Sequence, residues 1–143
     1  MSVFVSPYLI TIAIAWIGAH IVKYTILRIN KEHPSLKTLL FMSGGMPSSH
    51  SATSVALLTI IGLRDGTESG LFGIAALFTL IVMHDAVRVR RSSGEQGVAL
   101  RALIEKIKSK IVAPPIIKGH TPLEVGIGAI FGVAVGIIVF LLT

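Results

Sequence analysis

Two histidines stand where an apolar run begins, one in "SGGMPSSHSATS" and one in "KGHTPLEVG". Imidazole titrates near neutrality, so a histidine can act there as nucleophile, acid or base. His50 follows Pro47, Ser48 and Ser49, which read as a helix start with serine hydroxyls beside unpaired backbone N–H groups. A helix start of that kind favours an anion. The same serines also serve as a plain N-cap, with His50 an incidental interfacial residue, and it is the added histidine that tips the balance toward chemistry. His120 precedes Thr121, Pro122 and Glu124, a capping box with proline at the first helical position. Glu124 lies four residues beyond His120 on the same helix face, so its carboxylate can hold one imidazole nitrogen and leave the other free to attack. A carboxylate has two oxygens, enough for the cap and the histidine together.

A third polar cluster is "MHDAVRVRR", Met83 to Arg91. Asp85 near a membrane boundary is costly unless paired, and Arg88 one turn later is the expected partner. Arg90 and Arg91 are then left to grip phosphate oxygens bidentately, or to act as ordinary positive residues closing a span. His84 receives no role. His20 is expected to pack within its span, and His33 to lie in a loop.

The elements that must position these residues are apolar. Of the 143 residues 52% are hydrophobic, and the mean hydropathy of +0.82 is too high for a soluble domain. An all-α, polytopic membrane bundle of one domain over residues 1–143 is expected, since a spanning helix needs roughly 20 apolar residues. Four segments approach that length: Pro7 to Ile29, Ser51 to Leu63, Glu68 to Val87 and Thr121 to Leu142. The second is long enough only if Pro47 to His50 forms its first turn. The first lacks a basic flank and a cleavage site, so it reads as retained rather than as a signal peptide.

Basic residues crowd the connections between spans one and two (Arg28, Lys31, Lys37) and between three and four (Arg88 through Lys118), whereas Arg64 sits beside Asp65 and Glu68. The positive-inside rule makes both basic connections cytoplasmic. These residues are assigned to topology and anionic headgroups, not to nucleic acid. Ser93 and Gln96 have capping-box spacing, and Leu100, Leu103, Ile104, Ile107 and Ile111 follow at helical spacing. An interfacial amphipathic helix between the third and fourth spans is therefore expected, ended by Pro114 and Pro115. In the last span Gly128, Gly132 and Gly136 would let another helix approach closely, within the monomer or across a homodimer. With no cysteine there are no disulfides or thiolate metal sites.

By these spans His50, Asp85, Arg90, Arg91, His120 and Glu124 share one membrane face. Two histidines, a carboxylate, cations and two helix starts suit phosphoryl transfer through a phosphohistidine.

The segments "SGGMPSSHSA", "DAVRVRR" and "GHTPLEV" resemble the divergent branch of the type 2 phosphatidic acid phosphatase family, which is related to acid phosphatases and vanadium-dependent haloperoxidases. The resemblance covers nearly the whole chain. It implies that His50, in the place of the superfamily histidine after Pro-Ser-Gly, is the general acid, with Ser49 replacing the glycine. His120 is then the nucleophile, with Glu124 replacing an aspartate. The superfamily's lysine–arginine motif is absent, since Gly44 stands seven residues beyond Lys37, and Pro114 stands where an arginine precedes the nucleophile. Phosphate binding therefore falls to Arg90, Arg91, Lys118 or Lys37, with Ser48 and Ser49 at the helix start and Asp85 in support. The implied activity is metal-independent hydrolysis, without a cofactor, of a phosphate monoester or diphosphate on a phosphatidyl or polyprenyl lipid in the cell membrane. Two other readings stay open: a non-catalytic lipid-phosphate binding or transport protein, and a metal-assisted hydrolase with His50, His84, Asp85, His120 and Glu124 as ligands.

Overall fold

The computed structural model describes residues 6–31, 45–114, 116 and 119–143, so Lys37 and Lys118 lie outside the described residues. Every regular element among these is helical: α1 (Pro7–Ile29), α2 (Ser49–Asp65), α3 (Gly70–His84), a π-helical turn (Asp85–Val89), α4 (Arg90–Lys106) and α5 (Pro122–Leu142).

The central element is α2, with α1, α3 and α5 all packed on it. Backbone N–H of Ser48, just before α2, donates to the carbonyl of Glu124 in the first turn of α5 at 3.1 Å. At the far ends of the same two helices Arg64 donates to the Thr143 hydroxyl at 2.8 Å, so α2 and α5 run parallel. Tyr8 at the start of α1 donates to Asp65 at the end of α2 at 2.7 Å, which makes α1 antiparallel to both.

The close packing of α5 on α2 follows from residue size. A Cβ on Gly128 would lie 2.6 Å from the Ser48 carbonyl oxygen, and one on Gly136 would lie 2.7 Å from Cβ of Thr59. Between them Gly132 meets the Ala52 carbonyl. Ser48, Ala52 and Ala56 repeat at the same four-residue spacing as the glycines, so two ridges of small residues meet face to face and the backbones come close. The glycine stripe thus serves packing within the chain. Below it, Ala15, Ala56, Ile60, Val135 and Val139 form the apolar core.

Among the described residues three helical stretches are long and apolar enough to cross a membrane: α1, the continuous helix from α3 through α4, and α5. Helix α2, the expected second span, has 17 residues and would reach only about 25 Å at 1.5 Å per residue. Its position explains its composition. With neighbours on several sides, its serines and threonines meet protein rather than lipid, and Thr53, Ser54 and Thr59 turn their hydroxyls back onto carbonyls of their own helix. Large apolar side chains such as Ile21, Ile74, Leu80 and Ile130 cover the outside of the bundle.

The expected helix start at Ser93 does not exist. The chain passes from α3 through the π turn into α4 without a break, and Gln96 donates to Ser92 instead of capping. Helix α4 also ends at Lys106, well before Pro114, where Lys108 adopts a left-handed φ of 50°. From there the chain doubles back along α4, placing Ile116 against Gly97 and Gly119 against Arg91.

Candidate active site

The end of the bundle that holds the starts of α2 and α5 also holds the ends of α1 and α3. Thr121 caps α5, accepting from the Glu124 N–H at 3.3 Å, while the Glu124 carboxylate accepts from the Thr121 N–H at 3.1 Å. That same oxygen, Oε2, accepts from Nδ1 of His120 at 3.0 Å. Glu124 therefore serves cap and histidine with one oxygen rather than one each. A carboxylate only accepts, so the proton on Nδ1 is assigned from its partner and the neutral ring carries its lone pair on Nε2.

His120 is 5% exposed. Burial pushes its imidazole below the usual histidine value, the Glu124 hydrogen bond pulls the other way, and the Lys23 and Arg90 charges add to the lowering. The balance favours a neutral ring at neutral pH. The loop before it is pinned by its backbone, since the His120 N–H donates to the Ala86 carbonyl at 3.0 Å. The π turn makes that carbonyl accessible: the N–H of Arg90 reaches back five residues to Asp85 instead of four to Ala86. Gly119 is required beside it, because a Cβ there would overlap the backbone of Arg91.

The π turn also changes the expected partner of Asp85. Arg90 donates from Nε to Asp85 at 2.6 Å, while Arg88 is exposed. The wider turn brings the fifth residue, not the third, alongside the carboxylate. Arg91 points to the surface and pairs with Glu95 at 3.2 Å, so its backbone, not its side chain, supports the site.

At the start of α2, Ser48 is fully buried and is the N-cap, accepting from the Ser51 N–H at 3.4 Å and from its hydroxyl at 3.0 Å. Ser49 lies buried in the first turn. His50 is exposed on that turn and within electrostatic reach of Arg90, His120, Lys23 and His20. The structure thus gathers His50, His120, Glu124, Asp85 and Arg90 at one end of the bundle. His84 is exposed beside Leu80 and Val89. Among the described residues no three His, Asp or Glu side chains converge to hold a metal ion.

Sequence reasoning overlooked Lys23. It lies on α1, only 2% exposed, within electrostatic reach of Glu124 and both site histidines. No hydrogen bond or ion pair ties it to another described residue. The available signal was a lysine inside an apolar span, where an ionisable residue marks function by default. His20, one turn earlier, is held by the Trp16 carbonyl at 2.8 Å and packs on the Trp16 ring, 4.3 Å between centroids.

Comparison with known proteins places the chain in a family. Residues 4–135 match the family described as the Divergent PAP2 family. The chain is similar to the uncharacterized membrane protein YuiD of Bacillus subtilis (strain 168), at 37% identity over 67% of this chain and 70% of that one. No solved structure matches it.

Proposed function

The chain belongs to the Divergent PAP2 family, and from that premise we propose that it is a membrane lipid-phosphate phosphatase working through a phosphohistidine on His120. The observation that carries this reading is the single Glu124 oxygen that orients buried His120, with His50 and Lys23 gathered at the same end.

In the first step Nε2 of His120 forms a bond to phosphorus as the bond from phosphorus to the lipid oxygen breaks. His50 gives its proton to that oxygen. Glu124 keeps the Nδ1 proton in place and stabilises the positive charge developing on the ring. In the second step His50 takes a proton from water, whose oxygen bonds to phosphorus. The phosphorus–nitrogen bond breaks, and its electron pair returns to His120. Lys23, Arg90 and the N–H groups at the start of α2 neutralise the phosphoryl oxygens. Arg90 does so from its pair with Asp85, which fixes its direction. This assignment gives Lys23 the phosphate-binding part that the absent lysine–arginine motif leaves open. Of the set proposed on sequence, Ser49 in the first turn of α2 and Lys118 are kept, whereas Arg91, turned to the surface and paired with Glu95, contributes its backbone alone.

The test is an acid-labile, base-stable label on quenched protein given a radiolabelled activated phosphate. His120→Ala should lose both label and turnover. His50→Ala should lose turnover by about 10² to 10⁴ yet accumulate label from a substrate with a good leaving group. Label retained in His120→Ala and lost in His50→Ala would exchange the roles. A second reading, a lipid-phosphate binder without chemistry, draws on Arg90 and Arg91 already being engaged by Asp85 and Glu95. Absence of label and turnover from wild type would favour it.

A further inference from the structure

Beyond the π turn helix α4 scarcely touches the other helices, and of its residues only Gly94 is buried. Leu100, Leu103 and Ile107 are exposed. At about 100° per residue these three fall within about 60° of one another, so they form one apolar stripe. Arg101 and Lys106 stand at its two margins, and Glu105 lies on the opposite face. Past the helix end Lys108, Lys110, Ile111 and Val112 continue the mixture, all exposed. From Val98 to Val112 the chain carries four basic residues and one acidic. None of the four cations forms an ion pair with a described residue, and Glu95 is taken by Arg91. A second copy laid on this face would set like charges against like. Charge complementarity selects instead an anionic surface into which apolar side chains insert. A leaflet lies within reach. The continuous helix from Gly70 to Lys106 has 37 residues, roughly 55 Å at 1.5 Å per residue, against about 40–45 Å for a bilayer with its headgroups. A helix longer than its membrane tilts or kinks, and a π turn such as the one before α4 is where helices kink.

We propose that α4 lies down on the anionic leaflet at the end of the bundle that holds His50 and His120, and that this docking orders the loop carrying His120. The sequence pattern predicts an interfacial helix; the structure adds its connection to the site. A Cβ on Gly97, midway along α4, would touch Ile116 at 3.5 Å, and Gly119 lies against the backbone of Arg91 at the start of α4. The His120 N–H is bonded to the Ala86 carbonyl in the π turn. The loop therefore rests on α4 and the π turn, and a leaflet that fixes α4 fixes the loop with it. Anionic lipid acts here as an activator held outside the site, not as substrate. Only the effect on turnover rests on the phosphatase reading; docking and loop order do not.

The chain has no cysteine, so a single fluorophore can be placed at Gln96→Cys, exposed on the same face as the stripe. In nanodiscs holding one copy, nitroxide-bearing phosphatidylcholine should quench it at least about fivefold more steeply when the discs contain phosphatidylglycerol than when they are phosphatidylcholine alone, the low end for coupling between two sites. High salt should cancel the difference, and Arg101→Gln combined with Lys106→Gln should abolish it. Amide exchange from Gly119 to Thr121 should slow by a similar factor in the anionic discs, though not in the double variant. Turnover of a short water-soluble aryl phosphate should rise in step. Equal quenching in both discs, or none in either, would overturn the docking. Cross-linking of Gln96→Cys between two copies in larger discs, in place of quenching, would give the stripe to a second copy and overturn it as well. Quenching that needs phosphatidylglycerol but leaves amide exchange unchanged would make α4 a plain anchor and overturn its link to His120. Slowed exchange in a protein without turnover in either disc would uphold the proposal and overturn the phosphatase reading.

Discussion

Lys23 carries the greatest weight per residue. Lys23 is 2% exposed on a spanning helix, where a charged group is costly, and an anion arriving at the head of the site offsets that cost. Lys23→Met should lower kcat/KM by about 10² to 10³ and weaken orthovanadate inhibition in parallel, the range for losing one group that stabilises the transition state. Lys23→Arg should restore part of both. Unchanged vanadate affinity in Lys23→Met would remove the residue from the site. The pH profile tests His120 in the same way. Because burial lowers its pKa, the attacking neutral form persists below the ordinary histidine value, and the acid limb of kcat/KM should fall below about pH 6.5. Glu124 is the influence that raises that pKa, so Glu124→Gln should move the limb to lower pH still while depressing the maximum rate. A limb that moves upward would contradict the assigned pairing. The Thr121 capping box and the His120–Glu124 pair were legible because short-range spacing fixes both. Lys23 was not, because a pattern of apolar residues on α1 does not say which face meets the site.

At the level of elements, the helix starts were readable and the joint between α3 and α4 was not. Ser48 and Thr121 cap the helices that their sequences announce. The Ser93–Gln96 spacing announces a cap as well, but continuing the helix from α3 keeps the backbone hydrogen-bonded throughout, and that cooperativity overrides a local signal. The π turn has no sequence signature here, yet it redirects Arg90 to Asp85 and offers the Ala86 carbonyl to His120. Gly119 tests this joint. Gly119→Ala must push the loop off the Arg91 backbone, so turnover should fall at least about tenfold, while overpacking limited to the loop costs about 1 to 3 kcal/mol of stability. Thermal unfolding in detergent read beside activity separates the two effects. An active, equally stable Gly119→Ala protein would show that the close approach is dispensable.

Over the whole molecule, the all-helical membrane bundle and the gathering of its polar clusters at one end were legible in the sequence, whereas α2 qualified as a span only with Pro47 to His50 as its first turn. Apolar length is a measure of exposure to lipid, and a helix enclosed by its neighbours escapes it. Orientation is the property in which charge and fold meet. Arg28 stands in the last turn of α1 and Lys31 just beyond it, and Arg88, Arg90 and Arg91 follow the end of α3, so the fold brings the basic residues to the end that holds His50 and His120. Arg64, Asp65 and Glu68 lie at the other. The positive-inside rule then predicts that this end faces the cytoplasm. The absence of native cysteine allows a direct test, because Ser92 and Thr67 are both exposed and lie at opposite ends. In intact cells a membrane-impermeant thiol reagent should label Thr67→Cys and leave Ser92→Cys untouched, and opening the cells should expose Ser92→Cys. The reverse pattern would place the site on the outer face, where its substrates would be lipid phosphates of the outer leaflet. Labelling of both positions from one side would break the bundle topology itself, because an odd number of crossings separates the end of α2 from the start of α4.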